Sequence, residues 1–230
     1  MMSISRLNKI VEETPDTKSF LFDFEPISFA PGQFVNVTAN VSENLRVRRA
    51  YSIASSPLET EFQLTVKRMV DGKLSTFLCD KASVGDVFDI RGPYGLFTLN
   101  ERAAHVVFIA AGSGIVPFRS MWRYIVQESL DMQVTLLYAS KSQNYIIYRN
   151  ELLNLPGPRF NVVHTLTRND DPEWMGYSRR IDSAMLLEVV RKFDGKYFYV
   201  CGPPVMCNCV AAYLQDFGVE RARIKTEKYD

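Results

Sequence analysis

The sequence predicts two architectures in tandem, an antiparallel β-barrel or sandwich followed by an α/β domain with a parallel sheet. Three observations carry this. Before about residue 100, short runs alternate apolar and polar side chains between turn signals. After about residue 102, apolar strand-like runs alternate with stretches of helical spacing, the pattern of a parallel sheet with crossover helices. The length, 230 residues, suits one large domain or two of ordinary size.

In the first part, Lys18–Phe24, Gln33–Thr38 and Glu61–Lys67 alternate with period two, so one face of each is expected in a core. Pro31-Gly32, Asp71-Gly72, Gly85-Asp86, Gly92-Pro93 and Gly95 supply the turns between strands. One short helix is expected over Ser75–Lys81, with Ser75 as its N-cap. In the second part, strands are expected at Ala104–Ala110, Gln133–Tyr138, Phe160–Leu166 and Tyr197–Cys201. Helices are expected at Ile115–Glu128, Tyr148–Leu155, Ile181–Lys192 and Val205–Phe217. The join falls at Leu99–Ala103, dividing the chain into 1–101 and 102–230.

Hydrophobic residues at 47% and charged residues at 23% describe an ordinary globular chain. The net charge of +1 argues against nucleic acid as a partner, since phosphate binding needs a basic excess. Charge is nearly even along the chain, with 11 basic against 13 acidic residues in 1–101 and 16 against 13 in 102–230. The richest apolar run, Val106–Phe118, is broken by Gly112, Ser113, Gly114 and Pro117, so no membrane span of about 20 residues is expected. Met1–Lys9 is polar and no signal peptide is expected. Cys79, Cys201, Cys207 and Cys209 are therefore expected as reduced thiols in the cytoplasm.

Four short motifs stand out. In Arg49-Ala50-Tyr51-Ser52, a strand places Arg49 and Tyr51 on one face, where a guanidinium can grip phosphate and a phenol can lie on a planar ring. The bland alternative is a strand with one exposed Arg. Gly72-Lys73-Leu74-Ser75 enters the expected short helix, and unpaired N–H groups there can hold a pyrophosphate; a simple capped turn is the alternative. Gly112-Ser113-Gly114-Ile115-Val116-Pro117 lies between a buried strand and a helix, with Pro117 in the first turn, where proline is tolerated. The third glycine of the usual dinucleotide fingerprint is absent, and Ser140-Lys141 stands where an acidic residue would end the next strand. Cys201-Gly202-Pro203-Pro204, with Met206 beyond, ends a strand at the edge where open α/β sheets bind ligands. The alternative there is a small buried hydrophobe before a turn.

Taken together and in this order, the motifs resemble those of the ferredoxin–NADP reductase superfamily. That family carries R-x-Y-[ST], G-x-x-[ST], G-[TS]-G-x-x-P and C-G-P-x-x-M, and the resemblance spans essentially residues 3–230. It implies a Greek-key β-barrel flavin domain over 1–101 and a Rossmann-like nucleotide domain over 102–230. It also implies roles. Arg49 would contact flavin phosphate, Tyr51 would pack on the isoalloxazine beside Ala50, and Ser52 would hydrogen-bond near N5. Val66 and Lys67 would lend backbone contacts. Gly72, Lys73, Leu74 and Ser75 would hold the pyrophosphate, which favours FAD over FMN. Gly112, Ser113, Gly114 and Pro117 would form the nucleotide loop, with Ser113 between flavin and nicotinamide. Gly202, Pro203 and Met206 would line the nicotinamide site, and Cys201 would approach its C4. The ending Lys225–Asp230 resembles the family's C-terminus, with Glu227 in the catalytic set and Tyr229 covering the flavin until nicotinamide displaces it. A frayed tail is the bland alternative.

In this reading the cofactor carries the chemistry and the protein supplies position. Hydride passes from nicotinamide C4 to flavin N5, with the two atoms held about 3–3.5 Å apart. NADPH is favoured over NADH because Thr167-Arg168 follows the third strand, with Lys141, Arg179 and Arg180 adding positive charge. Against this, Asp170, Asp171 and Glu173 offer Arg168 a surface ion pair. Electrons then pass to a separate acceptor such as ferredoxin or flavodoxin, for which Arg46 and Arg48 offer a docking face. A second reading is an electron-transfer subunit of a multicomponent oxygenase or dehydrogenase, without stand-alone turnover. No plant-type C-x4-C-x2-C cluster set occurs. A third is an iron–sulfur subunit using Cys201, Cys207 and Cys209, whose C-x5-C-x-C spacing fits no standard metal pattern, so no metal ligands are expected. His105 and His164 are expected to be structural, Trp174 and Gly176 to sit in a loop, and Met121, Tyr124 and Ile125 to be helix core.

Overall fold

Alternation of apolar residues becomes antiparallel pairing in the first part of the chain. The computed structural model describes residues 2–23 and 28–229, with side chains from residue 5 onward. Phe24 and Asp230, at the ends of two expected segments, lie outside the described residues. The strands are β1 (Met2–Thr14), β2 (Thr17–Asp23), β3 (Phe34–Ser42), β4 (Leu45–Ser52), β5 (Phe62–Lys67) and, after helix α1 (Lys73–Asp80), β6 (Val87–Tyr94). Their order in the sheet is β4-β3-β6-β1-β2-β5. β6 returns to lie between β3 and β1, a long connection of the Greek-key kind. A bridge between Ile53, just past β4, and Leu64 in β5 brings the two edges together and closes the sheet into a barrel. Leu7, Phe20, Val35, Val37, Ile53 and Leu64 are essentially inaccessible at its core, and Leu74 and Leu78 of α1 complete it. Burying side chains of this size stabilises by about 1.5–3 kcal/mol each.

The second part forms a parallel sheet of β7 (His105–Ala111), β8 (Gln133–Ser140), β9 (Phe160–Leu166), β10 (Tyr197–Gly202) and β11 (Ile224–Lys228), ordered β11-β10-β7-β8-β9. Helices α2 (Val116–Gln127), α3 (Arg149–Leu153), α4 (Ser183–Val190) and α5 (Pro204–Asp216) connect the strands. One core layer joins Val107, Ile109, Phe198 and Val200 of the sheet to Met185, Leu186, Val210 and Leu214 of α4 and α5. By packing, the chain divides into two compact units, Met1–Leu99 with Val116–Glu128, and Asn100–Ile115 with Ser129–Asp230. Helix α2 therefore groups with the barrel, where Met121, Trp122 and Ile125 are buried. Among the described residues, no helix is long and apolar enough to cross a membrane.

Several boundaries differ from expectation for local reasons. α1 starts at Lys73 with Gly72 as N-cap and no side-chain cap. Ser75 is thus not the cap: it lies inside the first turn, buried, donating from Oγ to the Gly72 carbonyl (3.1 Å) and accepting from the Met69 N–H (3.2 Å). Gly112–Ile115 forms a 3₁₀ turn before α2. Tyr148 precedes α3 at φ 58°, a left-handed conformation that cannot continue a helix. Asp182 caps α4 by accepting from the Met185 N–H (2.8 Å), and Arg191 at φ 59° ends it. The segment Ile224–Lys228 is not a frayed tail; it is β11, paired along β10 from Phe198↔Ile224 to Gly202↔Lys228.

Candidate functional site

In the barrel, Arg49, Ala50, Tyr51 and Ser52 end the edge strand β4, in register with β3 through Val37↔Arg49, Val35↔Tyr51 and Phe34↔Ser52. Tyr51 faces inward with Val47, half-buried on the core, and Ser52 is buried where the strand ends. Burial drives the Tyr51 phenol well above its usual value, with Cys79 adding to the shift and Arg49 opposing it. It therefore stays neutral. Arg49 is exposed and donates from one guanidinium nitrogen to the Arg48 carbonyl (2.8 Å). Arg46, on the opposite face, is held by Asp89 (3.0 Å), which Arg91 also binds. Asp89 thus compensates part of the basic face expected for docking.

The same seam holds the other residues expected on the flavin side. Beyond the Ile53–Leu64 bridge no ladder joins β4 to β5 among the described residues, and Val66 and Lys67 end β5 there. The chain then turns into α1, which packs on β3, β4 and β5. The structure thus brings Arg49–Ser52, Val66–Lys67 and Gly72–Ser75 to one side of the barrel. α1 begins without a side-chain cap and without an acidic residue in its first turn, so its leading N–H groups and positive dipole end suit a phosphate. A Cβ on Gly72 would lie 2.3 Å from Ser75 Oγ and 2.8 Å from Met69 Cβ.

In the α/β unit, all five strands run the same way, so their carboxyl ends share one edge. That edge carries Gly112–Gly114 after β7, Lys141 after β8, Thr167 and Arg168 after β9, Cys201–Pro203 and Met206 at β10, and Glu227 and Tyr229 at β11. β7 is first in sequence yet third in the sheet, and the chain winds outward from it in both directions. The switch point lies between β7 and β10, where ligands of such sheets bind. There the two loops meet at backbone distance: a Cβ on Gly114 would fall 2.2 Å from the Cys201 carbonyl oxygen. Gly112 at φ 55° and Gly202 at φ 147° occupy conformations that favour glycine. Ser113, between Gly112 and Gly114, is half-buried, and Pro117 is the second residue of α2.

The Cys201 thiol is fully buried and pushed well above its usual value by that burial, then by Glu227 and Cys207, with a hydrogen bond from Tyr229 acting the other way. The thiol is thereby held in its neutral form. Glu227 stands directly across from Cys201 in the β10–β11 register, and its carbonyl lies 3.4 Å from Cys207 Sγ. The Tyr229 N–H donates to the Gly202 carbonyl (3.0 Å), which extends β11's attachment past its last strand residue. Cys207 is buried and Cys209 exposed, so they face opposite sides of α5; among the described residues no three metal-ligating side chains converge.

At the outer strands, the Thr167 N–H and hydroxyl both donate to the Ser140 carbonyl (2.9 and 3.3 Å), and the Arg168 N–H donates to the Lys141 carbonyl (2.8 Å). Thr167, Arg168 and Lys141 are thereby neighbours. Lys141 Nζ lies 4.9 Å over the Tyr145 ring. Asp171 does not hold Arg168; it accepts from Gln143 and from the Glu173 N–H. Arg179 is committed to Asp182 and Glu188, which removes it from the expected phosphate set. His105 and His164 are both pushed down to about 4, chiefly by burial, consistent with structural roles. The Trp174 ring covers Gly176 and its indole N–H donates to the Tyr177 carbonyl (3.0 Å).

One residue at this edge had no signal in the sequence. Tyr138, inside β8, donates from its hydroxyl to the Gly112 carbonyl (3.1 Å) and accepts from the Ile147 N–H (3.4 Å). It fixes the entry to the glycine loop, yet in sequence it is one more apolar strand residue.

Comparison with known proteins agrees with both halves. Residues 5–99 match the oxidoreductase FAD-binding domain family and residues 108–212 the oxidoreductase NAD-binding domain family. The chain is 30% identical over 232 residues to a glycine betaine monooxygenase reductase subunit of Pseudomonas aeruginosa, covering 97% of this chain and 63% of that protein. It is 29% identical to the ferredoxin reductase component of a 3-ketosteroid-9-alpha-monooxygenase of Rhodococcus rhodochrous, covering 99% of this chain and 65% of that protein. The chain thus spans a little under two thirds of these curated relatives. A ferredoxin NADP+ reductase from Neisseria gonorrhoeae, solved with bound FAD and NADP, superposes with a TM-score of 0.86 at 23% identity, covering 99% of this chain and 98% of that one. With an oxidoreductase FAD-binding domain followed by an oxidoreductase NAD-binding domain, the chain belongs to the two-domain FAD/NAD-binding reductases, and it shares the fold of the ferredoxin NADP+ reductase above.

Proposed function

We propose that this protein takes hydride from a nicotinamide nucleotide onto bound FAD and passes the electrons to a separate acceptor. The observation that carries this reading is the switch point of the parallel sheet, where Gly114 lies against the Cys201 backbone and leaves a side-chain-free floor for a nucleotide. Along the sequence, 1–101 serves the flavin and 102–230 the nucleotide, with α2 of the second part packing with the barrel. When bound, FAD supplies the hydride acceptor and can release electrons singly. Arg49 holds flavin phosphate, Ala50 and Tyr51 line the ring, and Ser52 donates near N5. Val66 and Lys67 offer backbone groups, and Gly72, Lys73, Leu74 and Ser75 hold the pyrophosphate, which favours FAD over FMN. Gly112, Ser113, Gly114 and Pro117 receive the nucleotide. Cys201, Gly202, Pro203 and Met206 shape the nicotinamide pocket and exclude water, and Glu227 and Tyr229 set the thiol's surroundings.

NADPH is the favoured donor. The exposed Arg168 has no ion pair among the described residues, and its backbone N–H pairs with the Lys141 carbonyl next to Thr167. An Arg fork suits a 2′-phosphate, and no carboxylate ends β8, where NADH enzymes hold the ribose hydroxyl. The setting is cytoplasmic, in keeping with four free thiols.

A second reading has a specific support: the relatives named above are reductase components of monooxygenases. In that case the acceptor is an oxygenase or its ferredoxin, and turnover waits for that partner. Anaerobic titration of the FAD-loaded protein with NADPH and then NADH tests both readings. Bleaching of the flavin band, at a much lower concentration of NADPH, is expected. A flavin that neither nucleotide reduces overturns the stand-alone reading.

A further inference from the structure

We propose that Arg119 is a positioning residue for the flavin site, holding the Ser52–Ala54 segment in place from the first turn of α2. The inference rests on the reductase reading above for what Ser52 does. Its geometry stands independently.

Arg119 is 7% exposed, in a turn otherwise made of buried Val116, Pro117 and Phe118. Its guanidinium donates to the Ala54 carbonyl (2.9 Å), two residues past Ser52. The Glu59 carboxylate lies 3.9 Å away and also pairs with Arg123, one turn further along α2. Glu59 in turn accepts from the Ser56 N–H (3.2 Å) and closes the turn that follows Ala54. Two backbone groups of the segment are held by the barrel: the Ile53 N–H donates to the Gln33 carbonyl (2.9 Å) and the Ala54 N–H to the Gln63 carbonyl (2.8 Å). The Ala54 carbonyl faces α2.

A buried guanidinium is costly unless its hydrogen bonds are made, and packing alone would be served as well by Leu or Met. The cation at this place does something packing does not. It ties a backbone carbonyl beside the flavin strand to a helix whose first residue follows the glycine-rich loop directly in the chain. Ser52 is then fixed from both sides, by the β3 ladder behind it and by Arg119 ahead of it. Hydride transfer tolerates little misplacement, and an error of about 1 Å can cost on the order of 100-fold in rate.

The test uses the FAD-loaded full chain and the variants Arg119→Met, Arg119→Lys and Glu59→Gln. Visible circular dichroism of the bound flavin and its two-electron midpoint potential are read without nucleotide. The limiting rate of anaerobic reduction and the nucleotide Kd are read with NADPH and NADH. Arg119→Met is expected to alter the flavin dichroism and potential and to lower the limiting rate about tenfold, with Kd within about twofold. Arg119→Lys, which keeps one donor, is expected to recover part of the loss, and Glu59→Gln to lie between. Wild-type dichroism, potential and limiting rate in Arg119→Met would overturn the proposal, as would a change in melting temperature alone. If Arg119→Met fails to fold, Arg119→Lys and Glu59→Gln decide, because wild-type values in both would overturn it equally. If neither nucleotide reduces the wild type, the reductase reading falls, and the flavin dichroism and potential still judge Arg119.

Discussion

The barrel and the α/β unit build their halves of the chemistry in different ways. The barrel gathers its proposed flavin residues along strand edges: the end of β4, the end of β5 and the start of α1 come together because the sheet closes at Ile53 and Leu64. The α/β unit assembles its site at strand ends, where one shared direction places every loop on one edge. A parallel sheet therefore locates its site by topology alone, while a barrel needs long-range closure first. The α/β loops also meet backbone to backbone, at Gly114 and Cys201, whereas the barrel's critical glycine meets side chains, at Gly72. The two regions should tolerate the same small substitution differently.

The largest effect is expected from Gly114→Ala. Its new methyl would lie 2.2 Å from the Cys201 carbonyl oxygen and 2.7 Å from the Gly202 nitrogen, atoms that move only with β10. The limiting rate of nucleotide-dependent flavin reduction should fall about 100-fold, as expected for a displacement of about 1 Å. FAD binding should be retained. Stopped-flow reduction beside an FAD titration checks this, and loss of FAD instead would break the division between the two regions.

That contrast also explains what the sequence made legible. Alternation fixed the strands Gln33–Thr38 and Glu61–Lys67 to within a few residues, and the four motifs located the loops, because glycine and proline act through their own backbones. β1 and β6 carry no comparable local signal, since their pairing depends on partners far away in the chain. The N-cap at Ser75 failed because the residue turns its hydroxyl back onto the Gly72 carbonyl inside the helix. β11 was ambiguous because a short polar strand at a chain end carries no period; its register with β10 makes it a strand. Tyr138 and Arg119 were illegible for a common reason. Each acts through a carbonyl from a distant segment, and nothing in the local sequence reports that meeting.

Arg168→Gln should come next in size and is confined to the α/β unit. Removing a charge-assisted contact to phosphate, worth about 1.5–3 kcal/mol, should raise the KM for NADPH by about 10- to 100-fold. The KM for NADH should be nearly unchanged. Equal rises for both nucleotides would remove Arg168 from the 2′-phosphate site.

Gly72→Ala, the barrel's counterpart of Gly114→Ala, should be milder. Gly72 has φ −76°, which alanine adopts freely. The obstructing atoms are Ser75 Oγ, which can rotate away, and the Met69 Cβ and carbonyl oxygen, which shift with the surface turn that leads into α1 rather than with a strand. FAD affinity should fall about tenfold, or about 1.4 kcal/mol, because the leading turn of α1 shifts at the pyrophosphate. Isothermal titration of the apoprotein with FAD measures it. A loss as large as that of Gly114→Ala would show that the barrel loop is as rigid as the switch point.

The smallest effect separates the two regions by pH. His105 and His164 both lie in the α/β unit, and burial lowers each to about 4 from an ordinary 6.5. A base held neutral in the fold contributes stability that is complete above the unfolded value and is lost as pH falls toward the folded one. The loss should therefore run from about pH 6.5 to about 4. Both histidines of the chain lie outside the barrel, and there Asp89 is held below its ordinary 3.8 by Arg91, so its contribution is lost only at still lower pH. On the alkaline side both regions carry buried thiols raised to about 11, Cys79 in one and Cys207 in the other, so stability present below about 9 is lost in both as pH rises toward 11. Melting followed through Trp174, beside His164, reports the α/β unit, and melting followed through Trp122 reports the barrel. Single-tryptophan variants should show the Trp174 transition falling by on the order of 5 °C between pH 6.5 and 4.5 while the Trp122 transition holds. Parallel falls would mean that the two units melt as one, and replacing His164 by Gln should then raise both transitions at pH 4.5 together.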